Sequence, residues 1–157
     1  MVVQIILASK SDLEIAKRAT SVLKKFGIEY KVNVASAHRT PDMVEKLSKN
    51  DDVKIFIAIA GLAAALPGVI AAHTTKPVIG VPVSGKVSLD SILSMMQMPK
   101  GVPVATVGLD SGENAAILAA EMLAMTDEKV LRSLQKYRAE MRASVGKDDE
   151  ELKRADV

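Results

Sequence analysis

The sequence predicts an α/β three-layer sandwich, with one parallel sheet of five strands between two layers of helices and an extended helix at the C-terminus. Five short runs rich in Val and Ile recur along the chain, and segments with helical periodicity separate them. These runs are continuously apolar, which is typical of strands that helices cover on both faces. The alternation of strand and helix therefore favours a parallel sheet and a three-layer architecture.

The boundaries of the elements follow from capping and turn residues. Apolar residues recur at helical spacing over 15–26, Gly27 follows them, and residues 11–14 have the Ser-x-x-Glu pattern of a capping box. Thr40 and Pro41 predict the N-cap and the first residue of a second helix. The second to fifth helices are expected over residues 42–49, 63–73, 89–96 and 114–125. The five strands are expected over residues 2–7, 30–34, 53–59, 78–81 and 102–107.

The last predicted helix differs from the others because no strand follows it. It begins near residues 126–128 in a highly charged segment. Its single apolar stripe consists of Val130, Leu134, Tyr137 and Met141. Such a helix packs either on its own domain or on another subunit, and the pattern leaves both open. The chain thus divides into a main domain, residues 1–126, and a C-terminal helix with a charged tail, residues 127–157, which we expect to fray beyond Gly146.

Composition and charge exclude several classes of protein. The chain has 157 residues and no Cys, which excludes disulfides, thiolate zinc sites, iron–sulfur clusters and cysteine nucleophiles. The 21 Lys and Arg nearly balance the 19 Asp and Glu, and only 3% of residues are aromatic, so nothing supports binding of nucleic-acid polymers. The first eight residues lack a basic leader, and no apolar run approaches the roughly 18 residues of a membrane span. We therefore expect a soluble, cytoplasmic protein.

The candidate site residues follow the predicted strands, because open parallel sheets bind ligands at the carboxyl ends of their strands. The first loop contains Ser9, Ser11 and Asp12 but lacks the glycines of a dinucleotide-binding motif. Two hydroxyls and a helix N-terminus suit a phosphate monoester, although the serines alone also fit a turn and a helix cap. The charge of Asp12 would repel phosphate, so this carboxylate is better suited to accept hydrogen bonds from sugar hydroxyls.

The second loop contains His38, next to Arg39 and close to Ser36. An imidazole titrates near neutrality and can both donate and accept a proton, as general acid–base catalysis requires. The Arg39 guanidinium is a permanently charged fork that matches phosphate or carboxylate. Because both residues lie in a polar loop at a strand end, catalysis is favoured over a purely structural role.

The third loop, with Ala60, Gly61 and Leu62, has no side chain that could transfer a proton. Its small residues permit close approach of a flat ligand or CO2, and tight packing of helix on strand is the alternative. The second histidine, His73, is expected at the end of a helix, whose carbonyl groups favour a cation. Two distant histidines argue against a metal site. These residue types suit proton transfer or decarboxylation of a phosphorylated small molecule.

Taken together, these segments resemble one enzyme family of purine biosynthesis, the N5-carboxyaminoimidazole ribonucleotide mutases and the related aminoimidazole ribonucleotide (AIR) carboxylases. The most specific segment is Ser-Ala-His-Arg-Thr-Pro at residues 36–41, and the resemblance extends over residues 2–137. The other matching segments are residues 9–12, 66–68, 77–82 and 97–99.

The resemblance implies a flavodoxin-like sandwich that assembles as an octamer, exchanges C-terminal helices between subunits, and needs no metal or organic cofactor. Residues 1–126 would form the catalytic domain, and residues 127–157 would pack on a neighbouring subunit. The substrate would be a ribonucleotide monophosphate whose carboxylate moves from the exocyclic nitrogen to ring carbon C4. The family's general acid–base falls on His38, and the loop around Gly61, from Ala60 to Leu62, would hold CO2. The ribose and phosphate contacts fall on Ser9, Asp12 and Arg39, with Ser11 and Ser36 nearby.

Two positions depart from the pattern Gly-Gly-Ala-Ala-His-Leu-Pro-Gly that is usual for the mutases in the third loop. The chain has Leu62 in place of the second glycine and Ala65 in place of the histidine. Two other functions therefore stay open beside the mutase reaction: direct carboxylation of AIR with CO2, and nucleotide binding without catalysis. The retained Leu-Pro-Gly and Val-Pro-Val segments favour the mutase.

Overall fold

Strands and helices alternate along residues 2–155, the part of the chain that the computed structural model describes. The strands are β1 (Val3–Leu7), β2 (Tyr30–Val34), β3 (Ile55–Ala60), β4 (Val78–Pro82) and β5 (Ala105–Thr106). The helices are α1 (Leu13–Lys25), α2 (Pro41–Ser48), α3 (Leu66–His73), α4 (Ser88–Met96), α5 (Gly112–Ala124) and α6 (Glu128–Arg154). One further turn of 3-10 helix, Lys10–Asp12, precedes α1.

All neighbouring strands in the sheet are parallel, in the order β2-β1-β3-β4-β5. Side chains of the central strands alternate between two cores, so Ile5 of β1 packs with α1 and α5, whereas Ile6 packs with α2, α3 and α4. The predicted three-layer sandwich with a parallel five-stranded sheet is confirmed. Burial on both faces holds for β1, β3 and β4 but not for β2, where Lys31 and Val34 are exposed because this edge strand has a single neighbour.

The last strand is shorter than expected, two residues instead of 102–107. Pro103 has no N–H group to donate to a neighbouring strand, and the Val102 N–H donates to the Pro99 carbonyl in a turn (3.2 Å). The third strand begins at Ile55 rather than 53, because the Val53 N–H donates to the Asn50 carbonyl in another turn (3.3 Å). Turn hydrogen bonds therefore make both strands shorter than the apolar runs from which they were predicted.

The first helix is not started by the expected capping box. The Ser9 hydroxyl instead accepts from the Ser11 N–H and caps the 3-10 turn, and the Ser11 hydroxyl donates to Asp12 (2.9 Å). The end of α1 is as expected, because Gly27 has φ +68°, a left-handed conformation that glycine adopts without strain. Pro41 is the first residue of α2, as predicted.

The first three turns of α6 pack on their own domain. The Asp127 carboxylate caps the helix by accepting from the Lys129 and Val130 N–H groups (2.9 and 3.3 Å), and Leu134 is buried. Tyr137 packs edge-on against Phe26, with ring centroids 5.4 Å apart.

Beyond Tyr137, α6 is exposed but remains helical. The Lys25 ammonium donates to Glu140 (2.7 Å) and lowers the pKa of this carboxyl group. The expectation of a frayed tail is wrong, because the helix continues through Gly146 to Arg154, with ion pairs one turn apart such as Lys153–Asp149 (2.7 Å). The last two residues of the expected tail, 156 and 157, lie outside the described residues. Within residues 2–155, no helix is both long and apolar enough to cross a bilayer.

A close contact between α1 and α5 depends on one glycine. A Cβ atom at Gly112 would lie 2.3 Å from the Ile15 carbonyl oxygen and 3.0 Å from Ile15 Cγ2. Because the first of these atoms belongs to the backbone, a side-chain rotation does not relieve the clash. Gly112 therefore sets the distance between the two helices on this face of the sheet.

We expect Gly112→Ala to destabilise the protein by about 2–3 kcal/mol, since α5 must move away from α1. The matched control is Gly146→Ala in α6, where nothing in the same chain lies within 4 Å of the added atom and alanine should stabilise the helix by about 0.5–1 kcal/mol. Thermal unfolding followed by circular dichroism, at equal protein concentration, measures both effects. Equal melting temperatures for the wild-type and Gly112→Ala proteins would contradict this account of the contact.

Candidate active site

The first loop holds its hydroxyls and its carboxylate in one turn after β1. The Ser9 hydroxyl accepts from the Ser11 N–H (3.3 Å), and the Asp12 N–H donates to the Ser9 carbonyl (3.2 Å). Asp12 is only 8% exposed, and its carboxylate accepts from the Ser11 hydroxyl. A buried carboxylate with one hydroxyl partner keeps free lone pairs for a further donor.

The second loop is braced by the side chain of Thr40. Its hydroxyl accepts from the Ser36 N–H (2.9 Å) and donates to the Ser36 carbonyl (3.3 Å), and the Ser36 hydroxyl accepts from the Arg39 N–H (3.3 Å). His38 lies within this closed turn and is exposed. The role of Thr40 was missed, because at the N-cap position we expected its hydroxyl to cap α2, which it does not.

Strand order brings the first three loops together, because β1 lies between β2 and β3. The Arg39 guanidinium donates to the Ala8 carbonyl (3.0 Å), which joins the second loop to the first. The Ala8 N–H donates to the Ile59 carbonyl (2.9 Å), which joins the first loop to β3. The cleft between the loops is lined by Ala8, Ser36, Ala37, His38, Ala60, Gly61, Ala64, Ala65 and Leu66.

This cleft has a volume of about 30 Å³. Such a space holds roughly one or two water molecules, so it admits a small group of a ligand but not a nucleotide. Ser36, His38, Ala60 and Gly61, all predicted site residues, line it together. A larger ligand would have to extend over the exposed loop residues such as Arg39.

Leu62 does not line the same cleft. Its side chain is 82% exposed and, with the β4–α4 loop and α4, it borders a separate hollow of about 520 Å³. Four polar residues of this hollow were not predicted as site residues: Lys86, Asp90, Ser94 and Gln97. Open parallel sheets bind ligands at the carboxyl ends of their strands, and this rule applies to the loop after β4 as it does to the first three loops. The sequence therefore contained the information needed to include this loop among the candidates.

The third loop has a strained backbone. Leu62 and Ala64 have φ values of +53° and +37°, in the left-handed region that residues with a Cβ atom adopt at a cost. The Ala64 N–H donates to the Gly61 carbonyl (3.0 Å) and closes the turn. Ala65, at the position where the mutases usually have histidine, is half-buried in the wall of the cleft.

The two histidines lie apart in the fold. His73 is the last residue of α3, a helix end as predicted, and it is exposed at the amino-terminal edge of the sheet rather than beside His38. Within residues 2–155, no three His, Asp or Glu side chains are grouped closely enough to hold a metal ion.

Comparison with known proteins identifies the family. The sequence model described as AIR carboxylase matches residues 2–144, which is most of the chain. The chain belongs to the AIR carboxylase family. The family resemblance seen in the sequence is thereby confirmed, and the strand order β2-β1-β3-β4-β5 is that of flavodoxin-like folds.

Individual members of the AIR carboxylase family are similar over nearly the whole chain. An N5-carboxyaminoimidazole ribonucleotide mutase of Methanocaldococcus jannaschii is 58% identical, over 95% of this chain and 96% of that protein. A probable mutase of Methanobrevibacter smithii is 51% identical over 96% of this chain, which spans 45% of that longer protein. The crystal structure of Treponema denticola PurE is similar with a TM-score of 0.86 and 32% identity, over 97% and 98% of the two chains.

Proposed function

We propose that the chain is an N5-carboxyaminoimidazole ribonucleotide mutase, an isomerase that forms 4-carboxy-5-aminoimidazole ribonucleotide in cytoplasmic purine biosynthesis. The observation that carries this proposal is that His38 lines one small cleft with Gly61, while Arg39 of the same loop binds the Ala8 carbonyl at the start of the hydroxyl-bearing loop. The 58% identity to a protein named as this mutase supports it. The relatives' names favour this reaction over direct carboxylation of AIR.

The loop after β1 and Arg39 would bind the ribose phosphate. Arg39 uses one of its five N–H groups for the Ala8 carbonyl, which keeps its charge over the first loop and leaves four donors for phosphate. Asp12, acceptor-only when ionised, suits the ribose hydroxyls. Ser9 supplies a hydroxyl for the same ligand, with Ser11 and Ser36 beside it.

The aminoimidazole ring of the substrate would lie over the small cleft, where His38 would act as general acid and base. The bond between the exocyclic nitrogen and the carboxyl carbon breaks, its electron pair stays on nitrogen, and nitrogen takes a proton from His38. The released CO2 is retained beside Ala60 and Gly61 and is attacked by C4, which forms the new carbon–carbon bond. His38 then removes the C4 proton, so the histidine ends as it began and no other co-reactant is consumed.

Two groups of exposed apolar residues support an oligomer, as the family resemblance implies. One group lies on and beside α4: Leu62, Val87, Leu89, Leu93 and Met96. A second group, with Met141 and Val145, lies on the exposed part of α6, and we propose that α6 packs there, beyond Tyr137, on a neighbouring subunit. An octamer would have a mass of about 134 kDa, eight times the 16.7 kDa of one chain, which light scattering measures.

One assay separates the three functions that the sequence left open. Purified protein is supplied either with the carbamate N5-carboxyaminoimidazole ribonucleotide or with AIR and bicarbonate, and the C4-carboxylated product is quantified. We expect efficient conversion of the carbamate without added bicarbonate. Conversion only from AIR with bicarbonate would make the protein a direct carboxylase, and binding without either conversion would make it a nucleotide-binding protein.

We expect His38→Asn to lower kcat by roughly 10²–10⁴-fold and to keep the affinity for AIR, because asparagine fills similar space but does not exchange protons. The matched control is His73→Asn, at the opposite edge of the sheet, which should keep wild-type kcat. Turnover measured with the carbamate and AIR binding measured by calorimetry provide the comparison. Near-normal kcat in His38→Asn would remove His38 from the mechanism.

We expect the wild-type protein to bind AIR at least roughly 100-fold more tightly than its dephosphorylated nucleoside, since charged hydrogen bonds to phosphate are strong. Arg39→Ala should reduce this ratio by about ten-fold or more. Because the ratio compares the affinities of one protein for two ligands, a general loosening of the loop would weaken both affinities and would largely cancel from the ratio. Equal affinity of the wild-type protein for nucleotide and nucleoside, measured by calorimetry, would rule out phosphate recognition.

A further inference from the structure

Asp110, in the loop between β5 and α5, has an unusual backbone conformation. Its φ is +55°, in the left-handed region, where Asp and Asn are tolerated better than most residues with a Cβ atom. The predicted site does not include this residue. A conformation that costs energy needs compensating interactions, and Asp110 takes part in four hydrogen bonds. One of them is local, from the Gly112 N–H to the Asp110 carbonyl (3.0 Å).

The other three interactions tie Asp110 to β4, to the loop after β4 and to α1. Its N–H donates to the Pro82 carbonyl (2.8 Å), and its carboxylate oxygen Oδ1 accepts from the Ser84 N–H (2.8 Å). The guanidinium of Arg18 donates to the Asp110 carbonyl from α1. Asp110 therefore holds the chain on both sides of Val83, and it makes these contacts in its left-handed backbone conformation.

Val83 is in turn the residue on which the third loop rests. Its N–H donates to the Ala60 carbonyl (3.0 Å), and its carbonyl accepts from the Ser91 hydroxyl of α4 (3.1 Å). A Cβ atom added at Gly61 would lie 3.3 Å from Val83 Cβ, closer than ordinary packing allows. A shift of Val83 would therefore displace Ala60 and Gly61, which line the cleft beside His38.

We propose that Asp110 is a positioning residue for the active site. Its carboxylate fixes Ser84, which keeps Val83 against Ala60 and Gly61, and so keeps the cleft in the shape that retains the reacting carboxylate next to His38. This role in catalysis rests on the proposed function. The Ser84 N–H is in an exposed loop where water could replace the carboxylate, so the bond matters for the position of the loop more than for folding.

Three variants test the proposal, and each keeps a different part of the arrangement. Asp110→Gly removes the acceptor and adopts positive φ freely, whereas Asp110→Asn keeps both an acceptor oxygen and tolerance of positive φ. Arg18→Ala is the structural control, because it removes the bond to the Asp110 carbonyl and leaves the Ser84 bond in place. For each protein, kcat and KM for the carbamate, melting temperature and amide hydrogen exchange are measured.

In Asp110→Gly we expect kcat to fall by about ten-fold with a change in KM of less than about three-fold, because misplacement of the cleft affects the transition state more than binding. The Val83 and Ser84 amides should exchange at least about ten-fold faster, as local opening becomes easier. Asp110→Asn should recover kcat to within about three-fold of wild type. Arg18→Ala should lower the melting temperature while kcat and both exchange rates stay close to wild type.

Two results would overturn the proposal. Unchanged exchange of the Val83 and Ser84 amides in Asp110→Gly would show that the carboxylate does not hold the loop. Faster exchange with wild-type kcat would show that the loop's position does not matter for the reaction. If wild-type protein fails to convert the carbamate, the proposed function is wrong and the catalytic role of Asp110 with it, whereas the exchange comparison still decides whether Asp110 holds the loop.

Discussion

The register of three parallel strands is the constraint on which the candidate site depends. Leu7 of β1 pairs with Val34 of β2 and with Ile59 of β3, so the three strands end at one level. The three loops therefore begin at the same level of the sheet. Backbone hydrogen bonds link their first residues to the neighbouring strands: the Ala8 N–H donates to the Ile59 carbonyl, and the Ala35 N–H donates to the Leu7 carbonyl. A shift of one strand by one residue would move His38 or Gly61 by about 3.3 Å and would separate them from the cleft they share.

Because the central strands are buried on both faces, alternation of apolar and polar residues does not fix this register. A hydrogen bond between polar side chains of two strands favours one register instead. The fully buried Gln4 amide donates to the Asn33 side chain (2.8 Å), which links β1 to β2. On β4, a Cβ atom at Gly80 would lie 2.9 Å from the sulfur of the buried Met95, so α4 approaches the sheet at this glycine. The packing of α4 on β4 also positions the loop that joins them.

Much of the architecture, and the edge of the sheet at which the candidate cleft lies, could be predicted because each depends on local patterns. Apolar runs separated by helical periodicity predicted the parallel sheet, and the loop position of His38 and Arg39 predicted where a ligand would bind. Interactions between distant residues could not be predicted in this way. The bond from Arg39 to the Ala8 carbonyl joins loops 31 residues apart, and the bond from Ser84 to Asp110 spans 26. Nothing in the local sequence of Asp110 indicates its partner.

The sequence by itself determined the fold class, the family and the residue types available for chemistry, because periodicity, strand-end loops and short motifs are properties of neighbouring residues. Only the tertiary structure decided which of these residues share a cleft. It brought Ser36, His38 and Gly61 together, placed the side chain of Leu62 outside in a separate hollow, and continued α6 through Gly146. Those outcomes depend on strand register, on close packing of helices and on hydrogen bonds between loops, which form only when the whole chain has folded.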